Sequence, residues 1–135
     1  MVVTAVPESI EVCSPPSRQL AAAIDEVASL IIPEDQDEMR PTEYAYTAAF
    51  STLAGAYTTI RLNAPESYDR LPLPSSSTDD VGGVRLRWQV GNREVRANFG
   101  AGPDRKSYVY CESGPQHDLK PLESSVLAET LRWLT

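Results

Sequence analysis

Three arginines have the type and spacing that favour a binding role. Arg85 and Arg87 alternate with apolar residues in the run VRLRWQV, and Arg96 takes the same place in the next run, REVRANF. Guanidinium groups bind carboxylates and phosphates through paired hydrogen bonds. Tyr108 and Tyr110 would add stacking surface if a third strand places them on the same face. The pattern predicts a site for a carboxylate-rich protein surface, a phosphate or RNA.

These two runs predict a β-hairpin, because each alternates with period two and a Gly91-Asn92 pair suited to a tight turn separates them. If Val90 opposes Arg93, every apolar residue of the first strand faces an apolar residue of the second. A shift by one position would destroy this match. The guanidinium groups then project from the face opposite Trp88.

In this register Arg87 lies directly across from Arg96, which is destabilising unless an acid or a bound anion lies between them. Two interpretations follow. The arginines recognise an anionic partner, or they are neutralised within the protein by Glu94, by Glu112 or by acids of the helices. Both stay open at the level of sequence.

Other chemical groups give weaker signals. The acidic run at 34–38 and the pair Asp79-Asp80 lack the glycine and spaced glutamate of a calcium loop, so we interpret them as a solvated connector and a turn. Cys111 and His117 are close enough in sequence for a nucleophile and base, but no orienting carboxylate or oxyanion loop accompanies them. Cys13 precedes a predicted helix, which could lower its pKa, yet such geometry is common without function. We predict no catalytic residue, no metal site and no cofactor.

The two tryptophans are expected at the core or its rim. Trp88 lies on the apolar side of the hairpin, and Trp133 lies in the last helix. If either is exposed, it becomes a candidate anchor for a partner or for a homodimer.

The remaining elements have to position this hairpin. A helix is predicted over 14–32 and another from about Thr42, whereas 58–80 has no clear assignment beyond a proline-rich piece at 71–74 that fits a sheet edge. A third strand at 107–112 and a helix over 121–134 complete the order. We therefore predict one domain over 1–135 of the α+β class, with two N-terminal helices, an antiparallel sheet of three to four strands and a C-terminal helix packed on the sheet.

Composition limits the possible functions. The 135 residues are 41% hydrophobic and 23% charged, which is typical of a folded domain. No apolar run is long enough to cross a membrane and no secretion signal is visible, so the predicted location is the cytoplasm with its cysteines reduced. The net charge of −7 argues against general binding to nucleic acid and favours a basic or nucleic-acid-binding protein partner. Residues 82–111 are the exception, with six bases against two acids.

The segments GGVRLRW and LAETLRWL, with the glycine turn and aromatic strand between them, resemble a loose group of small uncharacterised bacterial accessory proteins. The resemblance covers mainly 82–134 and implies an accessory role near mobile or defence-associated genes, with no catalytic residues to transfer. From the residues themselves we predict a non-enzymatic module that binds a protein partner through charged surfaces. Direct binding of an anion or RNA by the arginine face is the alternative, and a homodimer is compatible with either.

Overall fold

The computed structural model describes residues 16–31 and 40–135, which form four helices and five strands. The helices are α1 (Pro16–Ile31), α2 (Glu43–Asn63), α3 (Pro65–Asp69) and α4 (Ser124–Leu134), and the strands are β1 (Ser75–Thr78), β2 (Val84–Val90), β3 (Arg93–Phe99), β4 (Tyr108–Ser113) and β5 (Gln116–Pro121).

The strands form one antiparallel sheet in the order β1-β2-β3-β4-β5, so each strand pairs with its neighbour in sequence. The predicted hairpin register is confirmed, because Val90 pairs with Arg93 and Val84 pairs with Phe99. Gly91 has φ +60°, a conformation that favours glycine, as the tight turn requires.

The helices cover one face of this sheet, and the core lies between the two layers. Trp88 is fully buried there, and its indole N–H donates to the hydroxyl of Tyr57 on α2 at 2.9 Å. The Tyr57 ring meets the Tyr68 ring edge to face, and the Tyr68 hydroxyl accepts the backbone N–H of Leu20 on α1. Burial raises the pKa of Tyr57, so the phenol stays protonated and this chain of contacts joins the sheet to three helices.

Thr42 fixes the start of α2 against the sheet. Its side chain accepts the N–H of Ala45 as a helix cap and donates to the carbonyl of Ala101 at 2.6 Å. Its own N–H donates to the carbonyl of Gly82, which lies just before β2. One residue therefore holds a helix terminus and two loops of the sheet together.

The α+β class with an antiparallel sheet is confirmed, but the strand count of three to four is wrong. The sheet has five strands, because the serine run forms β1 and the polar run Gln116–Pro121 forms β5. The last helix therefore begins at Ser124 rather than at 121. α2 continues to Asn63, so the undecided stretch 58–62 is helical, and a short extra helix, α3, follows it.

Candidate functional site

The face of the sheet opposite the helices carries the predicted arginines, and we call it the open face. Strand register arranges its side chains in transverse rows. The first row is Ser77, Arg85, Asn98, Tyr108 and Pro121, the second is Ser75, Arg87, Arg96, Tyr110 and Leu119, and the third is Gln89, Glu94, Glu112 and His117. The structure therefore places Arg85, Arg87, Arg96, Tyr108 and Tyr110 together on one surface.

Glu94 neutralises the two arginines that face each other. It is only 6% exposed, and its Oε1 accepts the Nε–H of Arg87 at 2.8 Å while Oε2 forms an ion pair with Arg96. Burial opposes ionisation of this carboxyl, but the two guanidinium groups outweigh burial and hold the pKa of Glu94 below its usual range. Glu94 is thus the acid that the Arg87–Arg96 juxtaposition requires.

The contacts continue along the third and second rows. The Arg96 guanidinium lies 5.4 Å from the centre of the Tyr110 ring, and the Tyr110 hydroxyl donates to Glu112 at 2.6 Å. The hydrogen bond to Glu112 raises the pKa of Tyr110. The His117 ring stacks on the Tyr110 ring, with 6.1 Å between the two ring centres. This half of the open face is a connected network whose charges are largely satisfied internally.

The first row behaves differently. Within residues 16–31 and 40–135, Ser77, Arg85, Asn98 and Tyr108 make no side-chain hydrogen bond and no ion pair. All four can donate hydrogen bonds, and adjacent strands place them about 4.8 Å apart. We call this set the Arg85 row. It is a line of donors with a guanidinium near its centre.

Two shallow depressions meet at the Arg85 row. One, of about 580 Å³, extends over the serines of β1 and the arginines of β2 and β3. The other, of about 430 Å³, extends to the loop between β3 and β4, where Arg105 and Lys106 add positive charge beside Asp104. An anionic group placed at Arg85 would therefore meet further cations on one side.

Asp79, the acid whose pKa responds to the charge of Arg85, is already bound to the backbone. Asp79 accepts the N–H groups of Val81 at 2.9 Å and Gly83 at 2.7 Å. Burial opposes its ionisation, but these amides and the charge of Arg85 hold the pKa of Asp79 below its usual range. Asp79 therefore shapes the turn before β2, in agreement with its interpretation as a turn residue, and leaves the Arg85 guanidinium without a salt bridge.

The two tryptophans have different environments. Trp88 is completely buried, so it is a core residue and its role as an exposed anchor is ruled out by the helices packed over it. Trp133 is 38% exposed at the end of α4. The Arg93 guanidinium lies 5.2 Å from its ring centre and donates to its carbonyl at 2.9 Å. Its role as a partner anchor stays a prediction.

The structure separates the one pair considered for nucleophilic chemistry. Cys111 pairs with Asp118 and shares the helix-covered side, whereas His117 pairs with Glu112 on the open face. Adjacent residues of β5 point to opposite faces, so the sheet lies between thiol and imidazole. In the part of the chain that the structure describes, no group of three His, Cys, Asp or Glu side chains is arranged to hold a metal. Cys13 and the acidic run at 34–38 lie outside the described residues.

Sequence reasoning identified the arginines and tyrosines but not the serines of β1 or the importance of Asn98. The hairpin register already placed Asn98 opposite Arg85, so that signal was present. Ser77 carried none, because a run of three serines and a threonine has no apolar alternation.

No protein-family model, curated protein or solved structure matches this chain. None of the described helices has the length and apolar character needed to cross a membrane.

Proposed function

We propose that this protein is a non-enzymatic binding module that docks a protein partner on its open face, with an acidic part of the partner at the Arg85 row. The observation that carries the proposal is the contrast between the two halves of this face. Arg87 and Arg96 are satisfied by Glu94, whereas Arg85 and its row have no partner among the described residues.

The satisfied half supports docking because it fixes side-chain positions in advance. Arg87, Glu94 and Arg96 hold one another in place, so little conformational entropy remains to be lost when a partner covers them. Arginine and tyrosine are enriched at protein interfaces, where they combine large contact area with hydrogen-bonding capacity. Tyr108 and Leu119 add exposed apolar surface on the same face.

The Arg85 row favours an acidic contact surface on the partner. A carboxylate at Arg85 would accept a paired hydrogen bond, and Asn98 and Ser77 flank that position with further donors. This differs from the basic partner that the net charge favours, because the local charge around a contact decides its attraction once salt screens charges beyond about 8–10 Å. The accessory role implied by the resemblance is part of this proposal and makes products of neighbouring genes the first candidates.

The test is co-elution of the purified chain with these candidate proteins at low and high salt. We expect a complex that weakens with salt and that Arg85→Glu reduces by tenfold or more, as about 1.4 kcal/mol of lost contact would do. Arg70→Glu is the matched control, since Arg70 is an exposed arginine whose one ion pair among the described residues is with Glu66 on α3. A complex that is insensitive to salt, or equal losses in both variants, would contradict the proposal.

Direct binding of RNA or another anion is the second candidate. It is favoured by Arg105 and Lys106, which line the same depression as Arg85 and Tyr108. Titration of a labelled single-stranded oligonucleotide distinguishes the two, because this candidate expects binding by the isolated chain that falls steeply with salt and is lost in Arg85→Glu. Absence of binding at low salt would remove it and leave the protein partner.

A further inference from the structure

β5 is an outer strand of the sheet, and all six of its residues are exposed. The helices pack on β1, β2, β3 and β4. Beneath β5 a cavity of about 320 Å³ separates the strand from Glu129 and Trp133 of α4. Its outer edge has no strand beside it within residues 16–31 and 40–135. An edge of this kind presents backbone groups that can pair with another strand.

The phase of the β4–β5 ladder shows which groups point outward. A two-residue turn, Gly114-Pro115 with Gly114 at φ +60°, joins the two strands. In such a hairpin the residues that flank the turn, Ser113 and Gln116, exchange backbone hydrogen bonds. Hydrogen-bonded and non-hydrogen-bonded pairs then alternate along the strands. The N–H of Leu122 donates to the carbonyl of Ser107. Leu122 lies six residues after Gln116, an even number, so it is also expected to be a hydrogen-bonded position. His117, Leu119 and Pro121 therefore direct their backbone groups away from β4.

Two independent details agree with this phase. Pro121 has no N–H, and it occupies a position whose N–H would point away from β4, so no hydrogen bond to β4 is lost. The N–H of Leu119 donates to the side chain of Asp118 at 2.9 Å rather than to β4. The outward edge thus offers two N–H groups, from His117 and Leu119, and three carbonyls.

Only certain antiparallel registers let two β5 strands join by these outward groups. Pairing centred on Asp118 places this carboxylate opposite itself, and pairing centred on Lys120 places two ammonium groups together. Pairing centred on Leu119 instead sets each Asp118 opposite Lys120 of the second copy. Like charges directly opposite destabilise a strand pair and unlike charges stabilise it, so charge selects the register centred on Leu119.

We propose that two copies of this chain associate through β5, antiparallel about a two-fold axis at Leu119, to form one continuous ten-stranded sheet. The two Leu119 residues exchange both backbone hydrogen bonds, and each His117 N–H donates to Pro121 of the second copy. The N–H of Leu119 leaves the Asp118 carboxylate. This carboxylate already lies 3.7 Å from the Lys120 ammonium of its own chain, and in the dimer it also meets Lys120 of the second copy. Leu119, 61% exposed in the single chain, is covered by its symmetry mate.

This arrangement is compatible with the helices. A two-fold axis normal to the sheet keeps both helical layers on one side and both open faces on the other. Because α4 packs on β3 and β4 and is separated from β5 by a cavity, the two helical layers stay apart. The inference rests on the edge of the sheet and does not depend on the proposed binding role of the Arg85 row.

Sedimentation equilibrium of the full chain tests the proposal, over about 10 μM to about 1 mM because a single strand pair is a small interface. We expect a monomer–dimer equilibrium. Asp118→Lys and Lys120→Asp each replace two unlike pairs by two like pairs in every dimer, and each should weaken association by about tenfold or more. The double variant Asp118→Lys/Lys120→Asp restores unlike pairs and should recover dimerisation. Circular dichroism confirms that each variant is folded.

Hydrogen exchange supplies a second readout. The amides of His117 and Leu119 should exchange more slowly at the high concentration than at the low one, whereas the amide of Val81, in a loop far from β5, should not change. A wild-type chain that stays monomeric throughout the range would overturn the proposal. So would dimerisation that both single charge variants leave unchanged, since the chain would then associate through another surface.

Discussion

Glu94→Gln should destabilise the fold through the loss of one charge between two guanidinium groups. Glu94 is nearly fully buried, and the Nη2 atom of Arg87 lies 2.7 Å from its Oε1. Arg87 and Arg96 are each about half exposed, so solvent weakens both pairs and each contributes about 1 kcal/mol rather than the larger value of a buried pair. Glutamine keeps the shape and one acceptor but leaves two arginines facing each other, so we expect a loss of about 2 kcal/mol at pH 7.

The pH dependence makes this prediction specific. The folded pKa of Glu94 is lowered, so its stabilising charge is fully present above the unfolded value of about 4.3 and is lost as pH falls through the folded pKa. The difference in free energy of unfolding between wild type and Glu94→Gln should therefore be largest at neutral pH and shrink in acid.

Urea unfolding at pH 7 and at several lower values measures this difference. Glu112→Gln is the matched control, because Glu112 on β4 opposes Glu94 on β3 but forms no ion pair among the described residues, where its side chain accepts one hydrogen bond, from the Tyr110 hydroxyl. Its effect should stay within about 0.5 kcal/mol. A loss below about 0.5 kcal/mol for Glu94→Gln, or a loss that does not change from neutral to acid pH, would refute the electrostatic reasoning.

Three further changes test close contacts within the fold. Tyr57→Phe removes the acceptor of the buried Trp88 N–H and should cost about 1–3 kcal/mol in urea unfolding, and a neutral result would mean that this N–H finds water. Gly83→Ala places a Cβ 2.6 Å from the backbone oxygen of Phe99, which cannot move freely, and should lower the midpoint of thermal unfolding by several degrees, whereas Gly91→Ser at the open turn is tolerated better. Thr42→Ala removes the cap of α2 and should cost about 1 kcal/mol, with Thr42→Ser largely preserving stability; equal losses would contradict capping.

The hairpin could be predicted residue by residue because two constraints coincide there. Apolar residues alternate in both runs, and the turn pair fixes the register independently. The open face followed from that register, since fixing Trp88 inward forces Arg87 outward. The positions of the candidate arginines on the sheet could therefore be predicted from the sequence.

The edge strands could not be predicted, for a physical reason. β1 is a run of serines and threonine, and its pairing comes from β2 and from Ser76, whose hydroxyl donates to Glu26 on α1. β5 is exposed on both faces, so no apolar periodicity marks it. Both strands exist because a neighbour supplies backbone hydrogen bonds, and that information lies outside their own sequence. Ser77, one residue of the Arg85 row, lies on β1, so the complete row could not be predicted for the same reason.

The distribution of charge explains why the proposed partner differs from the basic partner that the net charge favours. Of the nineteen acids, six fall within 1–15 and 32–39, where there is no base, and the described residues hold thirteen acids and twelve bases. The part of the molecule that carries the candidate site is thus close to neutral, and its sheet face is locally cationic at Arg85. Since a salt-screened contact responds to charges within about 8–10 Å, a partner at this face meets the arginine and its donors rather than the −7 of the whole chain. Charge reversal at Arg85 should consequently affect binding far more than an equal change of net charge made at Arg70.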